Sequence, residues 1–268
     1  MVDMRKLAVS IGLAALIASG GAMAQDSRWE FSTGSDFSSG DYGGDPVDTE
    51  ITFVPFTTTY KSGSWTLRAT VPWVQIDGAG TVLGAGDGRV VVGGARRDQG
   101  GEELVATSES GLGDIWLSAT YAVDAIPANL FYLDIGAKYK LATADENKGL
   151  GTGEADYTLQ VDLFKPLGNI TPFLTLAYKM KGSSSDFALD NAMFVSVGSD
   201  FRISENTNIG LSVDYQESSY SGGPDSRELF GYLNRRLNNK WSFMLYGYSG
   251  MDDGSPDYGV GFQLSYNP

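Results

Sequence analysis

Long segments of two-residue alternation, almost no helical periodicity after residue 25, and connections that switch between short and long predict an all-β protein. The architecture they point to is a transmembrane up-and-down antiparallel β-barrel of about 12 strands, preceded by a cleaved signal peptide. Alternation matters because successive strand side chains point to opposite faces, so one face can be apolar while the other is polar.

Residues 1–24 stand apart from this pattern. Arg5 and Lys6 give a positive start, Leu7 to Ile17 is largely apolar, and Ala22-Met23-Ala24 fits a small-residue cleavage site. The apolar run is too short for a helix across a hydrocarbon core of about 30 Å. Residues 1–24 are therefore expected to be a secretory signal peptide and 25–268 the barrel. No later stretch is long and apolar enough for a transmembrane helix.

Strands are expected at 28–39, 49–60, 64–76, 111–122, 129–141, 154–165, 170–181, 189–202, 207–219, 226–237, 240–250 and 257–267. Trp65, Leu67, Ala69 and Val71 alternate with Thr66, Arg68, Thr70 and Pro72. Further on, Ile115, Leu117, Ala119 and Tyr121 alternate with Asp114, Trp116, Ser118 and Thr120. Leu133, Ile135, Ala137 and Tyr139 alternate with Asp134, Gly136 and Lys138. Tyr157, Leu159, Val161 and Leu163 alternate with Thr158, Gln160 and Asp162, and Ile209, Leu211 and Val213 with Gly210, Ser212 and Asp214. The last strand sets Tyr258, Val260, Phe262, Leu264 and Tyr266 against Gly259, Gly261, Gln263 and Ser265. Alternation is poor in the first, second and eleventh strands. The segments mostly run about 11–13 residues, enough for the roughly 9–11 that a tilted membrane strand needs and longer than the usual soluble strand of about 5–6.

Every second connection is short, and the others are long and rich in glycine and acid, as short periplasmic turns and longer outer loops would be. Both chain ends then fall on the periplasmic side. Lipid offers an exposed sheet edge no hydrogen bonds, so the first strand is expected to pair with the last. Trp29, Trp65, Trp73, Tyr121, Tyr139, Trp241, Tyr258 and Tyr266 sit near strand ends, where an interfacial aromatic girdle belongs.

If the apolar faces meet lipid, the polar faces line the lumen. Arg68, Asp114, Trp116, Asp134, Lys138, Asp162, Lys179 and Asp214 are the candidate lumen-lining residues, with Glu30, Asp200, Gln216, Arg236 and Gln263 on the same faces. Trp116 offers a stacking surface for an aromatic solute. Two uses stay open for this interior: a polar passage, and a plug of salt bridges and hydrogen bonds. Segment 77–110, the longest loop, is read either as a flexible outer loop or as a lid folded into the mouth. Its glycines match no phosphate-binding spacing, and Gly86-Asp87-Gly88 lacks EF-hand spacing.

Composition excludes other classes. The 268 residues include no His and no Cys, which removes histidine-based catalysis, imidazole or thiolate metal sites and disulfides. A net charge of −14 argues against nucleic acid as a partner. No carboxylate pair has a spacing that marks a catalytic site, so no enzymatic activity, cofactor or metal is expected.

Gly111-Leu112-Gly113-Asp114 opens a strand that continues Ile115-Trp116-Leu117-Ser118-Ala119-Thr120-Tyr121. Before it stands Val71-Pro72; after it come YLDIGAKYKLATADENKGLGTGEADY and FKPLGNITPFLTLAYK. This order resembles the MetA-pathway-of-phenol-degradation family of outer-membrane transporters over most of residues 29–268. The resemblance implies a barrel of the twelve-strand type linked with uptake of aromatic or other hydrophobic compounds. Barrels of this kind usually end on an aromatic residue; here Tyr266 is followed by Asn267 and Pro268. The expected function is passive uptake of small solutes across the outer membrane of a Gram-negative bacterium. The alternative is a non-conducting structural or adhesive barrel that binds through its acidic outer loops. Expected partners are outer-membrane lipid and lipopolysaccharide, a small-molecule solute and the barrel-assembly machinery.

Overall fold

The computed structural model describes residues 28–41, 48–78, 81–85, 90–93, 107–127, 129–183 and 188–268. The segment read as a signal peptide lies outside them, as does most of the loop 77–110. The strands are β1 (Arg28–Gly40), β2 (Thr49–Ser62), β3 (Trp65–Gly78), β4 (Thr81–Ala85), β5 (Val90–Gly93), β6 (Thr107–Leu112), β7 (Ile115–Ala122), β8 (Tyr132–Leu141), β9 (Asp156–Phe164), β10 (Ile170–Met180), β11 (Ala192–Ser204), β12 (Thr207–Gln216), β13 (Ser226–Arg236), β14 (Trp241–Gly250) and β15 (Tyr258–Tyr266). β4 and β5 form a separate hairpin.

The other strands form one antiparallel sheet in which β3 pairs with both β6 and β7, the rest pair in chain order, and β1 pairs β15 from Phe31↔Tyr266 to Ser39↔Tyr258. That last ladder closes the sheet and removes its edges. β6 and β7 are two halves of one barrel strand, because β3 pairs with both, so the closed barrel has 12 strands. Among the described residues no helix is long and apolar enough to cross a membrane; the strands do the crossing.

The break between β6 and β7 has a local cause. Trp73↔Leu112 and Thr70↔Trp116 are in register on either side, which leaves Gly113 and Asp114 together opposite Pro72. Pro72 has no N–H to give the ladder, and the strand opposite bulges by one residue there. Gly113 still donates its N–H to the Pro72 carbonyl at 2.9 Å. The GLGD motif is thus a β-bulge that turns Asp114 into the barrel.

Burial follows the alternation. Leu211, Val213 and Phe262 are 52%, 49% and 45% exposed, a dry centre being the last place they lie. Gly210, Ser212, Asp214 and Gly261, between them, are buried. Aromatic pairs band the outer surface near the short-turn end: Trp29 with Tyr60, Trp65 with Tyr121, and Trp241 with Tyr266, ring centroids 4.7–5.0 Å apart. At the long-loop end Tyr139 stacks with Tyr157 at 4.8 Å, and Phe37 meets Tyr258 at 6.4 Å. Rings half apolar and half polar suit both lipid–water boundaries.

Candidate functional site

The interior wall carries all eight candidate lumen residues, at different heights and around different sectors. Arg68 on β3 is half-buried and donates from Nε to Thr59 Oγ1 at 3.4 Å. Trp116 on β7 lies in register with Thr70, and its buried Nε1 has no hydrogen-bond partner among the described residues. Asp134 and Asp162 face each other directly across β8 and β9, both buried. Asp162 accepts from Thr175 Oγ1 at 2.6 Å and from Gln160 Nε2 at 2.8 and 2.9 Å. Lys138 stands half-buried beyond that pair. Lys179 donates to Gln216 and places its Nζ 5.0 Å from the Phe194 ring centroid. Asp214 accepts from Ser196 Oγ at 2.6 Å. Asp114 belongs to a further cluster that narrows the long-loop mouth.

That cluster was hidden in the sequence. The β8–β9 loop, residues 142–155, folds inward. Asp145 caps a single 3-10 turn (Glu146–Lys148) by accepting from Asn147 N at 3.0 Å, and Gly149 ends it at φ 68°, a left-handed backbone that favours glycine. The reversal delivers Leu150 into the barrel against Ile51, Phe53, Val74 and Ile76, inward-facing residues of β2 and β3. From β8 to β2 is three strand spacings, about 14 Å along the wall at 4.7–4.9 Å each. The loop therefore reaches across a quarter of the barrel rather than standing above it.

Charges fix the loop in place. Lys140 on β8 is fully buried, 3.3 Å from Asp114 Oδ2 and 3.1 Å from Asp156 Oδ2, and donates to Thr152 Oγ1 at 3.1 Å. Lys181 reaches Asp156 at 3.0 Å. Asp114 also accepts from the backbone N–H groups of Thr143 and Ala144, both at 2.9 Å. Two lysines and two aspartates balance to zero, the condition under which charges tolerate removal from water. Burial pushes the Lys181 ammonium below its ordinary value, with Asp156 pulling the other way and nearby Lys140 adding to the lowering.

A second interior cluster lies across the barrel. Phe230 and Tyr232 on β13 pack with Met244, Tyr246 and Tyr248 on β14, all buried. Tyr248 donates to Asp36 at 2.8 Å and Tyr232 to Asp200 at 2.9 Å. The tyrosine rings fill the space left by glycines in the strand beside them: Tyr246 against Gly261, Tyr248 against Gly259 and Tyr232 against Gly210. The interior is thus partly filled on two sides, with polar and charged residues between.

A closed barrel with an apolar, aromatic-banded outside and a polar inside defines an outer-membrane β-barrel, a fold of the Gram-negative outer membrane. Among solved structures the chain is similar to the COG4313 outer membrane channel from Pseudomonas putida F1, at 12% identity and a TM-score of 0.68, over 92% of this chain and 97% of that one. It is also similar to NanC porin (10% identity, TM-score 0.57, 88% of this chain and 98% of that one) and to KdgM porin (8% identity, TM-score 0.53, with the same two shares). These proteins are named as a channel and two porins, none as an enzyme. No family model matches the chain, and no curated protein matches it.

Proposed function

We propose that the protein is an outer-membrane channel for the passive passage of small solutes, aromatic or hydrophobic compounds among them. One observation carries this reading. Arg68, Trp116, Lys138, Lys179 and Gln263 face into a closed barrel and yet keep accessible surface. That surface faces the lumen, so the interior is narrowed but not filled. Twelve strands lie between side-chain-filled barrels of about eight and open porins of about sixteen. The similar barrels named as a channel and porins support a transport role, and the resemblance to the MetA-pathway family supports aromatic cargo, for which Trp116 supplies a stacking face. Lipopolysaccharide at the acidic outer loops and the barrel-assembly machinery are the proposed partners, and residues 1–24 the proposed secretory signal. Liposomes holding the purified protein should swell when small solutes outside enter. Absence of flux for every solute tried would remove the proposal.

The packed Leu150 and Phe230 clusters favour a second reading, a non-conducting structural or adhesive barrel. Planar-bilayer recordings separate the two: a sealed lumen carries no current.

A further inference from the structure

On the outer surface, the short-turn ends of β13, β14 and β15 set cations beside aromatic rings. Arg235 lies on the outward face of β13, exposed, in register with Phe243 of β14. Lys240, in the β13–β14 turn, is exposed too and places its Nζ 5.8 Å from the Tyr266 ring centroid. Tyr266 packs against Trp241, with ring centroids 4.8 Å apart. The turn is held in shape: Asn238 Oδ1 accepts from Lys240 N and Trp241 N at 2.9 and 3.0 Å, and Lys240 O accepts from Asn267 N at 2.7 Å. The neighbouring Arg236 is engaged by the β11–β12 turn, donating from Nε and Nη2 to Asn206 Oδ1 and from Nη2 to the Glu205 carbonyl. Neither Arg235 nor Lys240 has a carboxylate within ion-pair distance among the described residues. Against these three cations the adjoining β11–β12 turn brings one carboxylate, Glu205, and residues 258–268 bring no charged side chain. At the long-loop end of the same strands the one outward cation, Arg227, stands 3.8 Å from Asp252.

We infer that this patch is a binding site for the headgroup of an anionic phospholipid, of the phosphatidylglycerol type, in the leaflet that the short turns face. It does not depend on the channel reading and asks only that the barrel sit in a membrane. Three physical points carry it. The Trp241–Tyr266 pair belongs to the aromatic band at that boundary, so it fixes Arg235 and Lys240 at headgroup depth, where an outward charge costs little. A guanidinium offers phosphate a planar fork and an ammonium a mobile point charge, so a headgroup between them meets two complementary donors. Next to the cations, toward the middle of the membrane, Leu233, Leu245 and Phe262 are successive register partners, all exposed, and form a track for the acyl chains. A free phosphate would use only the first half of this surface. A zwitterionic lipid brings its own ammonium, which the excess positive charge repels.

The test places the full barrel in phosphatidylcholine vesicles doped with brominated phosphatidylglycerol or brominated phosphatidylethanolamine, which quench indole fluorescence on contact. Subtracting the signal of Trp241→Phe isolates that of Trp241. Its quenching should need about fivefold less phosphatidylglycerol than phosphatidylethanolamine, and high salt should shrink the difference. Arg235→Gln with Lys240→Gln should bring the ratio toward one, and Arg235→Lys should retain most of the preference. Lys165→Gln, in the β9–β10 turn, should leave the ratio unchanged, as should excess inorganic phosphate. Heat-modifiable gel mobility confirms that each variant is folded. Equal quenching by the two lipids in the wild type, or a preference that survives the double substitution, overturns the site. A loss in Lys165→Gln equal to that in the double variant would assign the preference to overall charge and overturn it as well. Displacement by inorganic phosphate would overturn the lipid as the ligand.

Discussion

Lys140 Nζ lies 3.3 Å from Asp114 Oδ2, and neither side chain reaches solvent. This pair joins β8 to the bulge opposite Pro72, and through Thr143 and Ala144 it holds the β8–β9 loop inside the mouth. Breaking a buried pair from one side strands the other charge, at a cost of about 3–5 kcal/mol. Lys140→Met should therefore lower unfolding stability in detergent by that order. Adding Asp114→Asn should cost less than the two single effects together, since the orphaned charge is then gone. Urea titrations of the two singles and the double check this; strict additivity would contradict the coupling.

Leu150 is the apolar tip of the same loop. Leu150→Ala removes its contacts with Ile51, Phe53, Val74 and Ile76 and costs on the order of 2–3 kcal/mol of docking. The barrel ladders do not depend on it, so folding should persist. Single-channel conductance should rise, because the loop no longer fills that side of the mouth. An unchanged conductance would show that the solute route avoids this sector.

These two residues mark where the sequence stopped being legible. Strand positions, closure, the two faces and the interior location of Arg68, Asp134, Lys138 and Asp162 follow from a period of two, which local residues set. The poor alternation of β1, β2 and β14 was also a signal. Ile51 and Phe53 are apolar and inward because Leu150 covers them, and Tyr246 and Tyr248 because glycines opposite make room. Alternation cannot announce such partners, since they come from other strands and from a loop. A lone leucine between glycines in the polar run ENKGLGTGE was the one local hint. Loop 77–110, read either as a flexible outer loop or as a lid, lies largely outside the described residues; among those residues the loop that enters the mouth is 142–155.

Gly261 has no room for a side chain. A Cβ there would run into the Tyr246 ring and the Ser35 carbonyl oxygen, 2.8 Å away. Gly261→Ala should destabilise by about 1–3 kcal/mol through overpacking. Gly247→Ala, where a Cβ would meet only the Gly259 carbonyl at 3.4 Å, is the matched control and should be near neutral. Equal losses at both sites would mean that strand propensity, not the ring, decides.

Asp225 anchors the β12–β13 outer loop by accepting from Tyr215 Oη at 2.7 Å and Ser218 N at 2.9 Å. The Tyr215 bond first, then the Ser218 bond and the Arg227 charge, hold its carboxyl below the ordinary aspartate value. A depressed folded value means the stabilisation is complete above the unfolded value of about 3.9 and fades as pH falls through the folded one. Protease cleavage within 217–225 should stay slow at neutral pH and accelerate only in acid. Asp225→Asn should cleave faster already at neutral pH, with a flatter acid response; a wild-type rate independent of pH would contradict the anchor.

Trp116 separates stacking from hydrogen bonding. Its indole N–H is buried without a partner among the described residues, an arrangement that carries a desolvation cost with no bond in return. Trp116→Phe deletes that N–H and keeps an aromatic face, so stability should change little and passage of an aromatic solute should persist. Trp116→Ala deletes the face. If stacking retains aromatic solutes in the lumen, benzoate flux should fall relative to acetate in this variant and hold in Trp116→Phe. A loss in Phe equal to that in Ala would show that an aromatic face alone does not retain the solute, and the stacking role would have to be given up.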